Sequence, residues 1–270
     1  MHPISIIIPV YNVAPYVERC MDSIAHQTLQ DTEVIFVDDH GKDDSIAIVQ
    51  RFIQTHRLSK TWHIIATPTN SGPGIARNMG IEQARGQYIA FCDADDWVEP
   101  TMYEQLYDLA QNQNADISSA AAILDYPDGS HRLMLNPEVG SGEVSLEQRR
   151  YLLSHFVSNF TTILFRREWL NQYSIRFPQA RSGEDSSFMG QCYLVAQRIA
   201  QTNQPLYHYV IHEDSISHRT HVWRGKDKRK AFGALIDFAK LNGLWPTFRK
   251  ELIFIYIKKA LLTPIKEWIH

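Results

Sequence analysis

Residues 70–97 read NSGPGIARNMGIEQARGQYIAFCDADDW, and the order of features in this stretch decides the fold class. Ser71-Gly72-Pro73-Gly74 breaks the chain, Ile75 to Ala84 has a helical composition, Arg85-Gly86 ends that helix, and Tyr88 to Cys92 is an apolar run of strand length. A turn, a helix and a short strand bounded by turn residues form half of a strand–helix–strand unit. The same alternation runs upstream. Ile4 to Val10 is β-branched and almost wholly apolar, the pattern of a strand buried on both faces. Tyr16, Val17, Cys20, Met21 and Ile24 then recur at helical spacing. Glu33 to Val37 is a second buried strand that ends in Asp38-Asp39, Asp43 or Asp44 is placed to cap a helix marked by Ile46, Val49 and Ile53, and Trp62 to Ala66 is a third strand. Strand and helix alternating in this way predict a mainly parallel, Rossmann-like α/β sheet flanked by helices. In such sheets ligands bind beyond the carboxyl ends of the strands.

After residue 100 the pattern changes. Pro100 opens a helix with an apolar face at Tyr103, Leu106, Tyr107 and Ala110. Asp116 to Leu124 reads as a strand, Pro127-Asp128-Gly129 as a turn, and Phe160 to Phe165 as another strand. Ser145-Leu146-Glu147-Gln148 has the pattern of a capping box before a helix. From about residue 220 the chain is mostly helical and richer in Lys and Arg. The expected organisation is a nucleotide-binding half over 1–125, an acceptor-side half over 126–220 and a helical C-terminal extension over 221–270.

Composition bounds the function. The chain has 270 residues, 44% of them hydrophobic and 21% charged, which excludes intrinsic disorder as the main description. A formal net charge of −3 argues against a broad grip on nucleic acid. Three scattered cysteines (Cys20, Cys92 and Cys192) are too few for a disulfide framework and suit a reducing cytoplasm. The N-terminus has no basic segment of a secretory signal, and no apolar run approaches the ~20 residues that span a bilayer. The expected location is therefore cytoplasmic. Lys250, Lys258, Lys259 and Lys266 mixed with Leu252, Ile253, Phe254 and Trp268 would suit either packing against the domain, contact with the inner face of an anionic membrane, or a homodimer.

Four constellations fall where the sheet rule directs attention. Asp93, Asp95 and Asp96 stand immediately after the fourth strand. Carboxylates so crowded are costly unless a cation or strong donors neutralise them. In an extended backbone Asp93 and Asp95 would share a face, which suits Mg2+ or Mn2+ together with diphosphate oxygens. The structural alternative is a capped turn, a role expected of Asp96. Asp38-Asp39 after the second strand could accept from a ribose hydroxyl or a base N–H, or simply cap a turn. Pro9-Val10-Tyr11-Asn12 offers Tyr11 as a stacking surface and Asn12 as a residue that tolerates a tight turn. Ser182-Gly183-Glu184-Asp185 places two carboxylates before a helix. Neither a dinucleotide-binding glycine fingerprint after the first strand nor a phosphate-loop motif is present.

Taken together, SIIIPVYNVAPYVERCMDSIAHQT, EVIFVDDHGKDDS, NSGPGIARNMGIEQARGQYIAFCDADDW and SGEDSSF resemble the family 2 glycosyltransferases of the GT-A fold. The likeness covers residues 1 to 125 closely and then the segment at 183 to 188. It implies an inverting transfer of a sugar from a nucleotide-sugar, usually UDP-linked, with a divalent metal, to a glycan or lipid-linked acceptor, in a setting such as surface polysaccharide assembly. Residue by residue, it implies that Pro9, Tyr11 and Asp39 hold the base, with Gly72, Arg77, Asp93 and Ala94 near the nucleotide-sugar. Asp95 would ligate the metal, Glu184 would shape the acceptor pocket, and Asp185 would be the catalytic base. His40 stands where the family commonly has glycine, a departure that touches the local turn. The membrane spans and Q-x-x-R-W motif of the processive synthases are absent, which points to single additions. Among His208, His212, His218 and His221, His218 is the residue best placed to join the diphosphate or the metal, the alternative being core or surface histidines. The competing readings are a sugar nucleotidyltransferase, which would need a glycine- and arginine-rich loop after the first strand, and a catalytically silent nucleotide-sugar-binding protein. The expected convergence is of Asp39, Asp95 and Asp185 in one crevice.

Overall fold

The computed structural model describes residues 2–155, 159–212 and 224–262. His218, His221, Lys266 and Trp268 lie outside the described residues. The amino-terminal part follows the strand–helix alternation of the sequence. Strands β1 (Ile4–Val10), β2 (Glu33–Asp38), β3 (Trp62–Ala66) and β4 (Tyr88–Phe91) are joined by α1 (Val17–Ala25), α2 (Ser45–Thr55) and α3 (Pro73–Gln83). They pair in parallel in the order β3-β2-β1-β4. Next in the chain come β5 (Trp97–Val98), α4 (Met102–Asn112), β6 (Ile117–Asp125), β7 (His131–Met134) and β8 (Gly142–Glu143). These are followed by α5 (Leu146–His155), β9 (Ile163–Arg166), α6 (Arg167–Gln172), α7 (Glu184–Val195), β10 (Arg198–Val210), α8 (Arg224–Leu241) and α9 (Trp245–Ile255). The sheet continues past β4 as β9-β6-β10-β5, so strands of both parts of the chain share one sheet. β9 runs antiparallel to β4 and β6, while β10 is parallel to β6.

The alternation of side chains along each strand divides the core into two layers. Ile4, Ile6, Ile8 and Val10 of β1 pack with Val34, Phe36, Tyr88 and Ala90 against α1, α2 and α4. Ile7, Ile35, Val37, Ile89 and Phe91 face the other way, into a layer built from α3, α5, α7, α8 and α9. Full burial of each such side chain stabilises the fold by about 1.5–3 kcal/mol. The three cysteines are buried and free. In α9 and the helical turn after it, Leu252 and Ile255 are buried while Ile253, Phe254 and Ile257 are exposed.

Three local expectations change. The segment Phe160–Phe165 becomes a strand only at Ile163, because Ile163 N donates to Phe160 O and closes a turn first. Residues 93–96 are not extended: Asp96 N donates to Asp93 O at 3.1 Å, so the alternation rule does not place Asp93 and Asp95 on one face. Asp96 caps no helix. It is buried and accepts from Tyr207 Oη at 2.6 Å and Val210 N at 2.8 Å, tying the turn to β10. The capping box forms as read, with Ser145 N donating to Gln148 Oε1 at 2.8 Å and Gln148 N to Ser145 Oγ at 3.1 Å.

Candidate active site

The turn after β4 forms one wall of the site. Asp93 accepts from Arg77 Nη2 at 2.6 Å. Arg77 comes from α3, is almost fully buried, and lays its guanidinium 4.5 Å from the Phe160 ring centre and 5.5 Å from that of Phe177. Burial works against the charged guanidinium, yet Asp93, and then Glu184 and Asp185, outweigh it and hold Arg77 above its ordinary value. Beneath lies a cluster of five phenylalanines. Phe177 stacks on Phe188 at 4.0 Å, and Phe91, Phe160 and Phe165 meet them edge-on or tilted. Asn78, one residue after Arg77, clamps the backbone of Phe177 with both amide atoms, at 2.8 and 2.9 Å.

The facing wall is the first turn of α7. Gly183, at φ 81, hands the chain into the helix and sets Glu184 and Asp185 side by side. Glu184 is buried, and its carboxyl is pushed up to about 7 by burial and by Asp185, with Arg77 pulling the other way. Asp185 Oδ1 accepts from Ser186 N at 2.6 Å. Between the walls is a cavity of about 280 Å³, lined by Arg77 and Asp93 on one side, Glu184 and Asp185 on the other, and Phe160 and Tyr209 between them.

Asp39 and Asp95 are not among the residues that line this cavity. Asp39 is buried at the end of β2. Its Oδ1 accepts from Thr67 Oγ1 at 2.9 Å and Ser71 N at 2.7 Å, and its Oδ2 from Gly72 N at 2.9 Å. The carboxylate thus holds the turn that opens α3, where Gly72 adopts φ 87, a conformation L side chains rarely reach. Pro73, the next residue, lines the cavity. The carboxyl of Asp95 is pushed up by burial and by Asp93, against the pull of its own backbone N–H, His212 and Arg77. The structure therefore brings Asp93, Glu184 and Asp185 together around one cavity, whereas of the expected trio Asp39, Asp95 and Asp185 only Asp185 lines it, because the Asp39 carboxylate is taken up by the turn ahead of α3. At the end of β1, Pro9 is half-buried and Tyr11 is 41% exposed, while Ala94 in the β4 turn is buried. Asn12 takes a left-handed conformation and its Oδ1 accepts from Lys42 N at 2.7 Å. His40 also turns left-handed, at φ 59, and its ring Nε2 contacts Thr67 O at 2.5 Å. A bulky residue thus occupies the turn where the resembling family has glycine.

Comparison with known proteins decides the family. Glycosyl transferase family 2 matches the chain over residues 5–174, more than half its length. The chain belongs to glycosyl transferase family 2. A Bacillus subtilis (strain 168) protein carrying the name glycosyltransferase EpsH is 27% identical over 272 residues, spanning 98% of this chain and 77% of EpsH. The chain spans less, 62%, of EpsJ from the same strain, to which it is 31% identical over 221 residues. Among solved structures, S. aureus TarS 1-349 in complex with UDP-GlcNAc superposes with a TM-score of 0.72 at 23% identity, covering all of this chain and 79% of that one. The Pyrobaculum calidifontis mannosyltransferase PcManGT, in complex with GDP-Man and Mn2+, superposes with a TM-score of 0.62 at 18% identity, over 87% of this chain and 64% of that one. These likenesses establish the GT-A type of fold for this family 2 glycosyltransferase.

No group of three or more His, Cys, Asp or Glu among the described residues is arranged to hold a metal ion by itself. That donor set still fits a hard divalent cation of the kind that uses one or two carboxylates and takes its other ligands from substrate phosphates and water. The carboxyl of Asp95, raised by burial and by Asp93, is the group a nearby cation would bring back down. Among the described residues no helix is long and apolar enough to cross a membrane.

Other site residues were not legible in the sequence. Phe160 and Phe177 come from segments with no motif, and only folding places them under Arg77. Tyr207 accepts from Asp93 N at 3.2 Å while donating to Asp96, so one hydroxyl fixes both ends of the acidic turn. His208 is a core histidine. It stacks on Trp97 at 3.5 Å, with Nδ1 and Nε2 each 3.0 Å from a carboxylate, of Asp125 and Glu99 respectively. It is not among the residues that line the cavity.

Proposed function

We propose that this chain transfers a sugar from a nucleoside diphosphate donor, UDP-linked by preference, to an acceptor hydroxyl with inversion at the anomeric carbon. The observation that carries this reading is the single cavity in which the Asp93–Arg77 pair faces Glu184 and Asp185 at the carboxyl end of β4. TarS, which shares the fold, binds UDP-GlcNAc. Asp39, Pro9 and Tyr11 would hold the base, Asp39 accepting a base N–H on the Oδ2 that already takes Gly72 N. Gly72, Arg77, Asp93 and Ala94 would flank the rest of the donor. Asp95 would hold Mn2+ or Mg2+, as the Mn2+ complex of PcManGT supports. When bound, the ion supplies charge stabilisation to the departing diphosphate.

The reaction this geometry serves is a direct displacement. The acceptor oxygen forms a bond to the anomeric carbon as the bond to the diphosphate oxygen breaks, and the diphosphate keeps the electron pair. The acceptor proton passes to the Asp185 carboxylate, a general-base contribution of ~10²–10⁴-fold. Glu184, poised at about 7, shares the site as a partly protonated neighbour, limits repulsion beside Asp185 and borders the acceptor. Arg77 pins Asp93 and spreads positive charge beneath the cavity.

The test is calorimetric titration with UDP, with and without Mn2+, together with turnover of a panel of UDP-sugars, GDP-mannose and dTDP-rhamnose. The wild-type protein is expected to bind UDP more tightly with Mn2+, and Asp95→Ala to lose that increment. A protein that binds UDP and turns over none of the donors would be a silent binder and would end the enzymatic reading.

A further inference from the structure

The run from α9 through the helical turn Tyr256–Leu262 carries two apolar sides. Phe248, Leu252 and Ile255 are buried in the core, whereas Ile253, Phe254, Ile257 and Leu261 are 44%, 55%, 42% and 38% exposed. Steps of three and four residues set side chains on one helix face. Ile253, Ile257 and Leu261 follow that spacing, and so do Phe254, Ile257 and Leu261. The four exposed side chains therefore form a stripe, and a contiguous apolar patch marks a contact surface in a way that scattered residues do not.

The charges along this run decide what the stripe meets. Arg249 and Lys250 are exposed and stand four residues ahead of Ile253 and Phe254, about one helical turn away. The acid of the run, Glu251, turns inward: its side chain is 15% exposed and accepts from Arg150 Nη1 at 3.2 Å. The Lys258 ammonium lies 5.7 Å from the Phe254 ring centre, so its charge also stays beside the stripe. An apolar face edged by cations, with no exposed acid among residues 244–262, suits the headgroup layer of an anionic bilayer. A second copy suits it less. A twofold contact lays the same patch on itself, and the facing stripe would offer Arg249 and Lys250 no exposed acid. Among the described residues no helix is long and apolar enough to cross a membrane, so this run would lie on the surface.

We propose that this stripe docks the chain on an anionic phospholipid bilayer. Ile253, Phe254, Ile257 and Leu261 sit at the acyl boundary, and Arg249 and Lys250 meet the lipid phosphates, for which the arginine fork is well shaped. The inference stands apart from the sugar-transfer reading, since none of these residues lines the 280 Å³ cavity. It gives that reading a setting. Lys259 of the same run shares a smaller cavity with Gly183 and Asp185, so the docked run lies beside the α7 wall.

The full chain is sedimented with vesicles of phosphatidylcholine alone and of phosphatidylcholine mixed with phosphatidylglycerol, at low and high salt. The wild-type chain is expected to bind the mixed vesicles, and to bind less at high salt. The Arg249→Gln/Lys250→Gln pair should lower partitioning into mixed vesicles about 30-fold, and the Phe254→Ser/Ile257→Ser pair about tenfold. Both pairs change exposed positions, so urea unfolding and UDP affinity should stay as in the wild type. No sedimentation with mixed vesicles overturns the proposal, as does equal partitioning by wild type and both pairs. A dimer that the serine pair disperses, while vesicles stay unbound, assigns the stripe to a second copy and also overturns it. If the variants do not fold, protection of Lys250 from amine acetylation by mixed vesicles decides the matter in the wild-type chain, and equal acetylation with and without vesicles overturns the proposal. Failure of the glycosyltransferase reading would show separately, as absent UDP binding.

Discussion

The two walls of the cavity use carboxylates in opposite ways. At the strand ends the acids hold the shape of the site. Asp39 takes three donors from residues 67–72, Asp96 takes Tyr207 and Val210, and Asp93 is paired with a buried arginine. On the α7 wall Glu184 and Asp185 sit adjacent in a first helical turn, and one of them is pushed up to about 7. Acids locked into hydrogen bonds set geometry, whereas acids left to share charge are suited to move a proton. Substitutions on the two walls should therefore separate into stability effects and rate effects.

The largest expected effect is on the α7 wall. Asp185→Asn keeps the size and the hydrogen bond to Ser186 N but loses the proton acceptor, so sugar transfer should fall ~10²–10⁴-fold. UDP affinity measured by calorimetry should stay within about twofold. Turnover within tenfold of the wild type would mean that the base lies elsewhere and that the walls do not differ in this way.

Arg77→Ala probes the other wall. It leaves Asp93 without its 2.6 Å partner and strips the cation from the Phe160 ring. Breaking a buried ion pair of this kind should destabilise the chain by about 3 kcal/mol, read from urea unfolding. Arg77→Lys, which keeps the charge but not the planar fork, should recover only part of that loss. A stability change below about 1 kcal/mol would show that the arginine serves ligands alone.

Glu184→Gln gives a smaller effect with a distinctive pH signature. The Glu184 carboxyl is raised from 4.5 to about 7, so between these values the folded chain holds more protons than the unfolded one. Stability associated with this group is then fully present below 4.5 and is lost as pH rises through 7. The glutamine variant should lack that decline and be more stable than the wild type at pH 8 by about 3 kcal/mol. Parallel stability–pH profiles for the two proteins would remove the strained-pair description of the α7 wall.

How much of this was legible in the sequence follows from the same contrast. The four parallel strands were readable because apolar runs such as Ile4–Val10 and Glu33–Val37 are specified by their own composition. Asp39, Asp93 and Asp95 were readable because the sheet rule names strand ends, and Glu184 and Asp185 because two adjacent carboxylates precede a helix. Their grouping was not, because it depends on long-range partners. Asp96 was expected to cap a nearby helix, but Tyr207, over a hundred residues away, recruits it into the core. The cradle under Arg77 draws Phe177 from a stretch with no reading of its own and Phe160 from a segment that was read only as a strand.

The smallest effect tests a feature the sequence specified locally and in full. Ser145 and Gln148 exchange side-chain-to-backbone bonds at the start of α5, and no residue of α5 lines the 280 Å³ cavity. Ser145→Ala should cost about 1 kcal/mol in unfolding free energy, with UDP binding and the pH profile unchanged. Gln148→Ala should cost more, because the same amide also donates to Val139 O at 2.6 Å and so fixes the loop ahead of the helix. If the two variants cost the same, the Val139 bond adds nothing and the cap acts through the helix terminus alone. If either one shifts UDP affinity, α5 is coupled to the site through Leu152 and Leu153, which share a core layer with Phe160 and Phe188, and the division between shape-holding and reactive regions would have to extend to that layer.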